Sequence, residues 1–220
     1  MKFRKSFLLI GLALLLSSCI VKSIQPFYTA DVQFFDERLE GEYITKGDNT
    51  WKFVSFKSEW EKENKEGTER TEEDYEAFEL YKNAYMVEYN RKGSEDYFIA
   101  MPFKVDGHLF LDLTPFQYEE SGLNPMVAQH LLKTHSAAKV DFNEDGSIKL
   151  SWISESVVKR LFNNQKLRLK HESVGFDEDL VLTASSEELY AFLQKFMKSD
   201  IKDKWNKDDI MNLKPSNAKP

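Results

Sequence analysis

The sequence predicts a mainly β protein: an antiparallel meander of about eight to nine strands that closes into a barrel, with a short inserted helix and a C-terminal helix. Three observations carry this. Apolar residues recur at period two from Leu39 almost to Leu182. Asp-Gly dipeptides fall where strands should reverse, at Asp106-Gly107 and Asp145-Gly146, and glycine accepts the positive φ of such turns. Aromatic residues make up 14% of the chain, with 17 Phe, enough to build a core.

In chain order, nine strands are expected at 40–45, 50–56, 82–90, 95–105, 108–113, 132–142, 147–153, 166–174 and 179–183. Tyr85, Val87 and Tyr89 share one face, as do Tyr97, Ile99, Met101, Phe103 and Val105. Leu109, Leu111 and Leu113 continue the pattern, then Ala138, Val140 and Phe142, then Ile148, Leu150 and Trp152. Leu167, Leu169 and His171 alternate with Lys166, Arg168, Lys170 and Glu172, the pattern of a half-buried strand. Lys46-Gly47-Asp48-Asn49 and Arg91-Lys92-Gly93-Ser94 read as looser turns. Closing the meander is the economical way to remove its edges. Ser154 could cap a short helix carrying Val157, Val158, Leu161 and Phe162. Ser185 and Glu188 form a capping box ahead of Leu189, Phe192, Leu193, Phe196 and Met197, a stripe that fits core packing.

The N-terminus carries an address. Lys2, Arg4 and Lys5 precede the apolar run Phe7–Leu16, and Leu16-Ser17-Ser18-Cys19 follows. Ten apolar residues cannot span a hydrocarbon core that needs about 20, so the run reads as a cleaved signal. The last four residues read as a lipobox, with Cys19 acylated as the first mature residue. Each buried CH₂ contributes about 0.8 kcal/mol, so two or three acyl chains hold permanently where one binds marginally. Residues 1–18 are thus signal, 19–36 a lipidated tether, 37–205 a single β domain and 206–220 a polar tail. Cys19 is the only cysteine, which leaves no disulfide and no thiolate metal site in the mature chain.

Without Lys2, Arg4 and Lys5, 27 of the 30 cations remain against 37 acids, a formal charge of −10. Such a chain is repelled by nucleic acid. The segment 57–79 holds ten acids and four bases and reads as a solvated excursion between strands. Gly67 is not framed by the Asp/Asn spacing of a calcium loop.

Two stretches carry resemblances. Leu39-Glu40-Gly41-Glu42-Tyr43, followed by Trp51-Lys52-Phe53, resembles the opening of lipocalin-like barrels, with Tyr43 where their Gly-x-Trp element has tryptophan. The resemblance implies a lipocalin-like barrel closed at its bottom by this segment. Gly107-His108-Leu109-Phe110-Leu111-Asp112, His130-Leu131-Leu132 with His135, and Leu180-Val181-Leu182-Thr183-Ala184-Ser185 resemble lipoproteins of Bacteroidota, from which no activity carries over.

For chemistry, His108, His130, His135 and His171 are the candidate metal ligands, but their spacing suits scattered histidines better than a site of converging ligands. His171 falls on the apolar row with Leu167 and Leu169, where it needs a partner: a buried side chain, or a bound ligand. No nucleophile elbow is present, and Glu119-Glu120 point to opposite faces of a strand. The expectation is a non-catalytic protein without metal or cofactor, a hydrolase being the enzyme reading that remains. It would be anchored through Cys19 to the outer membrane and would bind a small apolar or amphipathic ligand, such as a lipid or fatty acid, in a partly hollow barrel. The alternative is a filled barrel whose outer surface engages another envelope component. The residues after Cys19 include no acid until Asp31, which favours the periplasmic face over retention or surface display.

Overall fold

The computed structural model describes residues 20–216 except 68, 92, 119–130, 177, 203, 206, 207 and 209. Eleven strands run through these residues: β1 (Lys22–Ser23), β2 (Gly41–Ile44), β3 (Thr50–Ser55), β4 (Tyr85–Arg91), β5 (Ser94–Val105), β6 (His108–Tyr118), β7 (Ser136–Phe142), β8 (Ile148–Trp152), β9 (His171–Val174), β10 (Asp179–Leu182) and β11 (Ile210–Pro215). Eight close into an antiparallel barrel in the order β11-β2-β3-β4-β5-β6-β7-β8. β1, β10 and β9 form a separate three-stranded sheet with β1 parallel to β10. The four α-helices are α1 (Phe56–Lys65), α2 (Glu72–Tyr81), α3 (Glu155–Asn163) and α4 (Ser186–Lys198).

The local chemistry of the turns sets the meander. Asp106 and Gly107 both take positive φ, 48° and 84°, the geometry of a two-residue hairpin loop whose twist matches its strands. Followed strand to strand one way, Ile44 comes level with Glu95; followed the other way, through β11 to β6, it comes level with the turn at Gly107, a stagger of about 12 residues. With ~3.3 Å per residue and ~4.8 Å between strands, that stagger tilts the strands by roughly 45°.

Strict alternation divides two cores. Inside the barrel lie Tyr43, Trp51, Phe53, Tyr85, Val87, Leu109, Leu111, Leu113, Val140, Ile148, Leu150, Trp152 and Leu213. Trp51 packs against Tyr89 at 5.0 Å, Phe53 at 6.2 Å and Phe98 at 6.3 Å between ring centroids, so aromatic rings fill this space. The outward residues of β5 and β6, Phe103, Val105 and Phe110, form a second core with α3, α4 and the small sheet. One end of the barrel is closed by residues 33–39. Leu39 is fully buried there, Phe35 stacks on Tyr85, and the Tyr85 hydroxyl donates to the Asp36 carbonyl at 2.7 Å. Burial in this plug pushes the Tyr85 hydroxyl well above its usual range. Arg38 grips the Asp36 carboxylate through Nε at 2.8 Å and Nη2 at 2.5 Å, and lies 4.0 Å above the Phe142 ring.

Four expectations need correction. The stretch read as a polar tail contains β11, which pairs with β8 and β2 and closes the barrel. Of its side chains, Leu213 and, partly buried, Met211 join the inner core, too few for the alternation to stand out. The stretch read as a tether is part of the fold, with β1 paired to β10 and both Val21 and Phe27 buried. The strand expected at 166–174 shrinks to β9, because Gln165 turns the chain at φ 54° and 166–169 lies outside any strand, the β9–β10 pairing ending where the Lys170 carbonyl accepts from the Thr183 amide. Finally, the acidic 57–79 segment is exposed, as expected, but it is two helices rather than a plain loop. Trp60 stitches them, stacked on Phe78 at 4.4 Å with the Arg70 guanidinium 3.3 Å from its other face. Thr71 and Asp74 form the capping box that starts α2.

Candidate functional site

The histidines do not converge. His108 is exposed at the start of β6. Cys19, Glu119, Glu120 and His130 lie outside the described residues. His171 is exposed rather than set in an apolar row, which corrects the sequence expectation. Its Nδ1 donates to the Leu169 carbonyl at 2.9 Å and its ring stacks on Phe162 at 3.9 Å, so a local contact satisfies it and no ligand is needed. Among the described residues no three His, Cys, Asp or Glu side chains are grouped to hold a metal.

His135 behaves differently. Its Nδ1 lies 2.6 Å from Asp112 Oδ1 and 2.7 Å from Thr114 Oγ1. A carboxylate only accepts, so this nitrogen carries the proton. The other Asp112 oxygen accepts from the Phe27 amide at 2.8 Å. Asp112 is 2% exposed, and its partners satisfy a charge that would otherwise be costly to bury. Backbone bonds between Ser23 and His135 flank the cluster. The arrangement clamps the N-terminal segment onto β6 and β7. An oriented histidine also resembles part of a catalytic triad, but no hydroxyl among the described residues is hydrogen-bonded to its other ring nitrogen.

The site with ligand-binding geometry lies in the outer layer. α4 starts at the capping box in which Ser185 Oγ accepts from the Glu188 amide and Glu188 accepts from the Ser185 amide. Its inward face buries Leu189, Phe192, Leu193 and Phe196. After α3 the chain turns at Gln165, held by amide bonds from Gln165 to the Phe162 carbonyl and from Lys166 to the Leu161 carbonyl. Residues 166–169 then run alongside α4. Between them is a groove of about 770 Å³. Leu161, Leu167, Leu169, Phe192, Phe196 and Ile201 supply its apolar lining, and Lys166, Arg168 and Lys195 its cations, against one acid, Glu188. Lys204 closes the end of α4 by donating to the Met197 and Ser199 carbonyls, and burial lowers its pKa. The alternation of leucine with Lys166 and Arg168, read as a strand, thus makes a groove wall. Its signal was legible; its partner was not.

A second groove, about 600 Å³, lies between the α1–α2 hairpin and the barrel wall at Val54 and Met86. Lys52 and Lys62 there face Glu59, Glu63 and Asp74, so its charges offset. Inside the barrel, the indole nitrogens of Trp51 and Trp152 are buried without an acceptor.

Fold and groove together define a closed eight-stranded antiparallel barrel carrying a helical outer layer with a basic-rimmed apolar cleft. No family model, curated protein or solved structure matches this chain.

Proposed function

We propose that this protein is a lipid-anchored component of the bacterial envelope that binds an amphipathic anion, a fatty acid, in the groove between α4 and residues 165–169. The carrying observation is the groove itself: an apolar lining whose rim bears three cations and one acid in a chain that is acidic overall. An acyl tail lies against Leu167, Leu169 and Ile201, and its carboxylate meets Lys166, Arg168 or Lys195 in charge-assisted hydrogen bonds. The lipobox ending at Cys19 supports the anchor, and the residues after it support the periplasmic face of the outer membrane. The reading is non-catalytic. The aromatic packing of the barrel favours the outer groove over the lumen as the place for a ligand. That same packing supports a second reading, in which a filled barrel engages another envelope component.

Calorimetry with dodecanoate and dodecanol on the chain from Ile20 onward tests the proposal. Dodecanoate should bind, and the double variant Lys166→Glu, Arg168→Glu should weaken it by about tenfold or more, since ~1.4 kcal/mol of ion pairing is one decade. Dodecanol affinity should not change. No dodecanoate binding, or equal losses for both ligands, would remove the groove as the site.

A further inference from the structure

We propose that the tip of the β9–β10 hairpin, Val174 to Phe176, is a second membrane contact set beside the lipid anchor. The inference rests on the reading of Cys19 as that anchor. Phe176 is 101% exposed and Val174 53%. A phenylalanine wholly in water at a loop tip marks an interaction surface more strongly than a scattered apolar residue does.

The hairpin is anchored at its base. Leu180 and Leu182 of β10 are buried in the outer core, Gly175 turns the chain at φ 77°, and Lys159 on α3 donates to the Glu178 carbonyl at 2.9 Å. What lies beside it follows from register. β1 runs parallel to β10 with Lys22 opposite Val181. Ile20, two residues earlier, bridges Ser154 instead, and Glu155 beside it accepts from the Leu180 amide at 3.3 Å, which keeps Ile20 by the start of β10. Asp179, next to Leu180, pairs with Val174 on β9 and forms an ion pair with Lys22 at 3.0 Å. Ile20 is bonded directly to Cys19, the residue that the lipobox reading acylates. The chain thus enters the described fold near the end of β10 from which Phe176 projects. Glu172, Glu178 and Asp179 near the tip are set against Lys22, ion-paired to Asp179, and Lys159, bonded to the Glu178 carbonyl, so no cationic excess is present and the surface that fits is a zwitterionic interface rather than an anionic one.

The acylated full-length mature protein, with Phe176→Cys labelled by an environment-sensitive nitrobenzoxadiazole dye, tests this in phosphatidylethanolamine–phosphatidylcholine vesicles. Acylated Cys19 has no free thiol, so the label is unique. Glu144→Cys, in the exposed β7–β8 turn, is the control. The label at 176 should shift to the blue and be quenched by lipids brominated near the headgroup, at the depth of roughly 5–10 Å that interfacial side chains reach. The label at 144 should do neither, and adding anionic lipid should diminish the shift at 176. A chain that floats with vesicles while position 176 stays aqueous overturns the proposal and leaves the anchor standing. A chain that does not float overturns the anchor reading and this placement with it. A shift that grows with protein concentration in the absence of vesicles assigns the tip to a second copy of the chain and also overturns it.

Discussion

Replacing Leu213 with alanine removes three carbons from the strand that closes the barrel. Leu213 is fully buried, lies opposite Ile148 on β8, and belongs to the inner core with Tyr43 and Leu150. Packed strands surround the site, so little collapse into the vacated space is possible. Such truncations cost about 2–5 kcal/mol, and a poorly collapsing site sits in the middle of that range or above, near ~3 kcal/mol. In a domain of this size each kilocalorie is about 2–4 °C, so the melting temperature should fall by roughly 6–12 °C. Asn212 and Lys214 on the same strand are exposed, and alanine there should stay within about 0.5 kcal/mol of wild type. Urea titration followed by tryptophan fluorescence reads both, since Trp51 and Trp152 sit in the same core. If Leu213→Ala were no more harmful than Lys214→Ala, β11 would not be holding the barrel closed. Truncation after Trp205 should be worse still, because it opens the edges of β2 and β8 and invites aggregation.

Asp36 gives a pH signature. Hydrogen bonds from the Arg38 side chain hold its carboxyl below the usual range, against the opposing effect of burial. A depressed carboxylate contributes stability that is present above its unfolded value of about 3.9 and is lost as pH falls through the folded value. Asp36→Asn should therefore cost about 1–2 kcal/mol at pH 7, and the gap should narrow below about pH 4. A gap that stays constant from pH 7 down to the acid transition would rule out the ionic origin. Trp60→Ala should melt α1 and α2, each ten residues and with no fully buried side chain, because helices this short do not persist alone. Circular dichroism should lose that helical signal while the barrel melts within a few degrees of wild type. A large fall in barrel stability would instead show that the hairpin braces the wall.

What the sequence made legible was the part of the fold with local causes. Alternation marks β4 to β8, and Asp-Gly turns mark the β5–β6 and β7–β8 hairpins, because these pair neighbours and carry their own turns. β11 was hidden because its partners, β8 and β2, lie far back in the chain, and Asn212 and Lys214 interrupt its short apolar pattern. Residues 20–27 were hidden for another reason: a two-residue strand just after a long apolar run looks like linker until its partner, β10, is known. Leu167 and Leu169 showed a real apolar row, yet period two says only that one face is covered, not that a sheet covers it. Here that face lines a groove beside a helix. The bond from His135 to Asp112 joins residues 23 apart, and no pattern in either neighbourhood signals the other.

Where the barrel closes has a consequence for how it forms. Tyr43 pairs with Pro215, and Ile44 with Lys214, so the first and last strands of the barrel meet across a separation of about 170 residues. Contacts this distant in sequence carry a loop-closure entropy that nothing repays until they form, and topologies dominated by them fold slowly. During synthesis the meander from β2 to β8 emerges first, as a curved sheet with two free edges. Its closing strand, β11, follows about 60 residues after β8. The vulnerable species is that open sheet, and how long it lasts is set by the arrival of β11 rather than by the pairing of any hairpin.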